Sequence, residues 1–125
     1  RARRFRKKLG GGMRQAGIVA AGALYALQHQ RDRLQSDHDN ARKLAQGLAN
    51  MKGVVIAPAT VETNIVNFEV SGQSAEAVVR ELSQVGVAML ATGPQKIRAV
   101  TNLMVSSEQI DRTIEEIAKV MKSVC

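Results

Sequence analysis

Gly10-Gly11-Gly12-Met13-Arg14, preceded by Lys7 and Lys8, sets three glycines among cations. Successive glycines let backbone N–H groups approach an anion, and a helix starting just beyond them adds its positive N-terminal end. With charge from Lys7 and Arg14, the stretch suits a phosphate; it equally suits a flexible break between two helices in a solvated basic segment. It is not a G-x-x-x-x-G-K-[ST] loop. Arg98 sits within Ile97-Arg98-Ala99-Val100-Thr101, an otherwise apolar strand. A desolvated guanidinium needs a carboxylate, either an internal acid such as Glu69 or the acid of a ligand. His38, between Asp37 and Asp39, reads as a hydrogen-bonded packing residue. A single cysteine, Cys125, excludes a disulfide framework and a cysteine zinc site, and reads as inert. Two histidines, His29 and His38, do not make a metal centre. No nucleophile, base and orienting group stand in a catalytic pattern, so no catalytic residue is assigned. These groups bind; none of them drives a reaction.

The elements that must position them follow from periodicity. Arg1–Leu9 puts Ala2, Phe5 and Leu9 on one helical stripe, and the three glycines end it. Residues 16–27 are apolar on every side, the pattern of a buried helix, and too short to span a bilayer. Arg31–Asn50 predicts a second helix burying Leu34, His38, Ala41, Leu44, Ala45 and Leu48. Val54–Ile56 and Asn64–Val70 read as strands, with Val66, Phe68 and Val70 on one face and Ile65, Asn67 and Glu69 on the other. Ser74 caps a helix to about Val85 that turns Val78, Val79, Leu82 and Val85 inward, with Gly86 as its stop. Val87–Ala91 and Lys96–Asn102 form a hairpin around Thr92-Gly93-Pro94. Ser106 and Gln109 open a last helix burying Ile110, Ile114, Ile117 and Met121. The fold class is therefore α+β: a small, largely antiparallel sheet with helices on one face, preceded by two connecting helices. Residues 1–50 form the basic segment and connectors, and 51–125 the small α/β domain.

Composition narrows the function. The net charge of +7 over 125 residues comes wholly from residues 1–14, which hold seven of the eighteen cations and none of the eleven acids. The remainder is balanced, and the whole chain has one tyrosine, two phenylalanines and no tryptophan, so neither a basic face nor a base-stacking surface is expected. No secretory pattern opens the chain. The expectation is a cytoplasmic, soluble protein with no nucleic-acid or membrane partner. The abrupt start, without an initiator methionine, predicts a fragment.

Arg3-Arg4-Phe5-Arg6-Lys7-Lys8-Leu9-Gly10-Gly11-Gly12-Met13-Arg14-Gln15-Ala16-Gly17 closely resembles a signature stretch of the low-specificity L-threonine aldolases, pyridoxal-phosphate enzymes of fold type I. Asp37-His38-Asp39-Asn40-Ala41 and Ile97-Arg98-Ala99-Val100-Thr101-Asn102 resemble two further landmarks of that family, in the same order. The resemblance implies the end of a large cofactor domain followed by the C-terminal small domain. It implies pyridoxal 5'-phosphate as cofactor and retro-aldol cleavage of β-hydroxy-α-amino acids to glycine and an aldehyde. It implies that Arg98 binds the substrate carboxylate and that Lys7 and Arg14 lie near the cofactor phosphate or the active-site entrance. It also implies a homo-oligomer, a dimer of dimers. The lysine that holds the cofactor would lie upstream of Arg1, leaving this chain inactive by itself. The family often has a histidine where Asn102 stands and an acid where Met104 stands. The alternative from a different class is a free-standing, basic-tailed domain that binds nucleic acid or an anionic surface.

Overall fold

The computed structural model describes residues 1–122. Cys125 lies outside the described residues. The chain divides into two compact units, Arg1–Asp32 and Arg33–Cys125.

The first unit holds helices α1 (Ala2–Lys8) and α2 (Gly17–His29). Helix α1 ends in a reverse turn made by the first two glycines. Gly10 takes φ +87°, its N–H donates to the Lys7 carbonyl at 3.3 Å, and the Gly11 N–H donates to the Arg6 carbonyl at 2.8 Å. This is a Schellman end, which satisfies carbonyls that the last helical turn would leave open. A Cβ on Gly11 would stand 2.8 Å from the Arg6 side chain and 3.0 Å from its carbonyl oxygen, so the turn requires glycine there as well. Helix α2 corrects one expectation: its uniform apolarity predicts burial, yet none of its residues is buried, and Ile18 is 89% exposed. An all-round apolar helix needs cover on every side, and the first unit supplies none. No helix among the described residues is long and apolar enough to cross a membrane.

The second unit is a four-stranded antiparallel sheet carrying three helices. Strands β1 (Val54–Val55), β2 (Ile65–Val70), β3 (Leu90–Ala91) and β4 (Lys96–Val100) lie in the order β1-β2-β4-β3. Alternation along β2 and β4 sends Val66, Phe68, Val70, Ile97 and Ala99 into the core. There they join Leu44 and Leu48 of α3 (Leu34–Ala49), Leu82 of α4 (Ala75–Gln84) and Ile117 of α5 (Ser107–Lys122). Strand β3 is shorter than its sequence suggests, and a 3-10 turn at Pro58–Thr60 joins β1 to β2.

Local end signals act as their chemistry dictates. The Ser74 hydroxyl accepts from the Ala77 N–H at 3.2 Å. Gly86, at φ +82°, ends α4 with the same reverse turn as Gly10: the Val87 N–H donates to the Leu82 carbonyl at 2.9 Å. Ser106 and Gln109 exchange bonds, the Ser106 N–H to Gln109 Oε1 at 2.8 Å and the Gln109 N–H to Ser106 Oγ at 3.3 Å, a capping box. Two burial expectations are corrected. Leu34 is 47% exposed and His38 only half-buried, while Asp37 and Asn40 are buried, so the inward stripe of α3 is 37, 40, 41, 44, 45 and 48. Val85 is 38% exposed because α4 has already ended before it.

Candidate functional site

The face of the sheet opposite the helices is open, and its rows are set by register. Ile65 faces Val100, Asn67 faces Arg98, and Glu69 faces Lys96 across β2 and β4, while Leu90 of β3 lies on the other side of Arg98. The row therefore runs from an apolar pair through a polar pair to a charged pair. All six residues on β2 and β4 are exposed.

Arg98 stands at the centre of this face. The expectation of a desolvated guanidinium is corrected, since inward Ile97 and Ala99 leave Arg98 pointing away from the core. Glu69 is not its partner; the Glu69 carboxylate lies 3.6 Å from Lys96 Nζ. Instead Arg98 Nε donates to Asn67 Oδ1 at 3.1 Å. No carboxylate among the described residues pairs with the guanidinium, and its two terminal nitrogens are left for an outside acceptor. Holding one edge of the planar group and freeing its fork suits two-point binding of a carboxylate. Asn67 escaped the sequence reading because only the register places it opposite Arg98. A groove of about 430 Å³ lies at the end of β4, lined by residues including Val87, Thr101, Asn102, Met104 and Arg112, and Arg98 is not part of it.

Lys7 and Arg14 belong to the first unit, where both are exposed and neither forms an ion pair among the described residues. The glycines between them do not form the anticipated open cradle, because the Gly10 and Gly11 amides are turned back on α1. His38 is half-buried, and its ring makes no hydrogen bond among the described residues. Its acidic neighbours are engaged elsewhere, Asp37 with Arg33 at 2.9 Å and Asp39 with Arg42 at 3.1 Å.

Comparison with known proteins gives this arrangement a lineage. The second unit has the fold of part of the fold-type I pyridoxal-phosphate enzymes. One neighbour is a mutant cystine C–S lyase with glycine covalently linked to its pyridoxal-phosphate cofactor, at TM-score 0.65 and 27% identity over 78% of this chain and 28% of that one. The beta-eliminating lyase family profile matches residues 1–71, and the chain belongs to that family. Among its relatives, low-specificity L-threonine aldolase 1 of Arabidopsis thaliana is 37% identical over 91% of this chain and 33% of its own length. The low-specificity L-threonine aldolase of Escherichia coli K12 is 40% identical over 88% of this chain and 32% of its own. The chain thus spans about a third of the length of these curated relatives. Against the phosphate of pyridoxal phosphate, the Gly10 and Gly11 amides are already bonded to α1, whereas Lys7 and Arg14 are exposed cations.

Proposed function

We propose that the chain is the C-terminal portion of a pyridoxal-phosphate-dependent threonine aldolase, which cleaves L-threonine or allo-threonine to glycine and an aldehyde. The observation that carries this reading is Arg98: exposed on the open sheet face, held by Asn67 through Nε, its terminal nitrogens free. The names of the aldolase relatives and the covering of most of this chain by their sequences support it. Residues 1–50 lead from a large cofactor domain into the small domain of 51–125, and Lys7 and Arg14 give charge to the cofactor phosphate. The active protein is a cytoplasmic homo-oligomer, a dimer of dimers.

The cofactor supplies an electron sink for the bond that breaks. The task of this chain is orientation. Clamping the α-carboxylate between the guanidinium nitrogens of Arg98 fixes the rotation of the substrate about Cα, and so which Cα bond is presented for cleavage. Cleavage of Cα–Cβ turns the β-hydroxyl carbon into the aldehyde carbonyl as its proton leaves, and a proton delivered to Cα completes glycine. None of the lysines of this chain is assigned to the covalent attachment of the cofactor, so the 125 residues alone are expected to release no glycine from threonine.

The test is Arg98→Ala in the full-length protein. The cofactor absorbance is expected to remain, while kcat/KM for threonine falls by roughly 30- to 4,000-fold, the equivalent of about 2–5 kcal/mol for losing one partner of a charged contact. Arg98→Lys recovers only part, because an ammonium lacks the planar fork. A lower melting temperature with unchanged kinetics would remove Arg98 from the active site.

A further inference from the structure

The buried polar residues among those described lie in one cluster. Asp37, Asn40 and Thr101 are 5%, 8% and 2% exposed, and the rest of the buried set is apolar. All three bear on the segment Thr101–Val105, which leaves β4 just after Arg98. The Thr101 hydroxyl donates to the backbone carbonyl of Asp37 at 2.6 Å, while the Thr101 N–H donates to the Asn64 carbonyl at 3.0 Å and Asn64 Nδ2 returns a bond to the Thr101 carbonyl at 2.8 Å. At the far end of the segment, Asn40 Nδ2 donates to the Val105 carbonyl at 3.0 Å. The Asp37 carboxylate is itself gripped at two points by Arg33, at 2.9 and 3.2 Å, which fixes the first turns of α3.

Burying polar groups carries a desolvation cost that apolar side chains of the same size avoid. What hydrogen bonds add is direction: an apolar contact tolerates sliding, whereas a short hydroxyl-to-carbonyl bond allows one register. The polar burial of this core is concentrated where β4 must be held, and the residues holding it come from the Asp37–Ala41 motif that the carboxylate site itself does not use.

We propose that Thr101 and Asn40 are positioning residues for Arg98: they pin both ends of the segment leaving β4 to α3, and so fix the direction in which Arg98 presents its guanidinium. The inference rests on the reading of Arg98 as the carboxylate anchor.

Two measurements test it. In the 125-residue chain, hydrogen exchange of residues 98–105 is expected to accelerate about tenfold more in Thr101→Val than exchange in the middle of α5, as for loss of one buried hydrogen bond. Thr101→Ser, which keeps the hydroxyl, stays near the parent. Uniform acceleration, or none, overturns the proposal. Should Thr101→Val not fold, Asn40→Ala carries the same comparison from the other end of the segment. In the full-length enzyme, Thr101→Val is expected to lower kcat/KM for threonine about tenfold, and to add nothing once Arg98→Ala is present. Equal effects with and without Arg98 overturn it. If Arg98→Ala leaves kcat/KM unchanged, the carboxylate reading fails on its own, and the exchange pattern alone decides whether Thr101 and Asn40 hold the strand.

Discussion

Helices α2 and α3 follow one another in the chain and differ in almost every respect that matters for burial. Helix α2 has thirteen residues, nearly all apolar or small, and buries none. Helix α3 has sixteen, more than half of them polar, and buries six, one of them an aspartate. The apolar groups of α2 point to all sides, so no stripe selects a partner and nothing in its unit offers one. Those of α3 recur at the i, i+3, i+4 spacing that lays one face along β2 and α5, and Arg33 compensates the charge that this face drags inside. Hydrophobicity states what a helix would gain from cover. Periodicity and a matching surface decide whether it is covered.

Truncating one leucine in each helix gives the widest separation. Leu48→Ala, at a fully buried position, is expected to lower the stability of the second unit by about 2–5 kcal/mol. Leu24→Ala in α2, 54% exposed, is expected to change it by no more than about 0.5 kcal/mol. Urea midpoints followed in the second unit would show this, and equal losses would dissolve the contrast.

The glycines of the two helices predict a reversal of sign. A Cβ on Gly47 of α3 would lie 2.7 Å from Ile114 Cδ1 and 2.9 Å from its Cγ1, so Gly47→Ala is expected to cost about 1–3 kcal/mol by overpacking. Gly22 of α2 has nothing within 4 Å of that position, and Gly22→Ala is expected to favour the helix by about 1 kcal/mol. Circular dichroism for α2 and denaturant unfolding for the second unit read the two separately. A stabilising Gly47→Ala would mean that α3 and α5 are not closely packed.

The smallest effect concerns the helix ends. Helix α2 begins at Ala16 without a side-chain cap, whereas α5 begins with the Ser106 box and an acid, Glu108. The Ser106 hydroxyl, donating to Glu108 Oε2 at 2.6 Å, holds this carboxyl below its ordinary value of 4.5, helped by the Glu108 backbone N–H and, more weakly, by Lys43. A carboxyl whose pKa is lower folded than unfolded contributes stability fully above its unfolded value and loses it as pH falls through the folded one. Glu108→Gln is therefore expected to flatten the fall in unfolding midpoint below about pH 4.5, with little change near neutrality. An unchanged acid limb would show that the contact is too solvent-screened to count.

The amino-acid sequence by itself determined the features whose causes lie within a few residues. The Ser74 cap, the Ser106–Gln109 box, the stop at Gly86 and the inward set Val66, Phe68 and Val70 all depend on local bonds or on the two-residue period of one strand. The same period puts Ile97 and Ala99 on one side of β4 and Arg98 on the other, although the apolar run by itself suggests a desolvated guanidinium. Which side met solvent, and which residue met Arg98, only the tertiary structure decided. Along a strand, same-face neighbours repeat every two residues, so Asn67 and Glu69 are equivalent candidates until the pairing of β2 with β4 is set. The register that seats Val66 and Phe68 against Ala99 and Ile97 places Asn67 opposite Arg98 and sends Glu69 to Lys96. The inward turn of Asp37 and Asn40 has the same origin: their partners Thr101 and Val105 are more than sixty residues away, and no local pattern carries that distance.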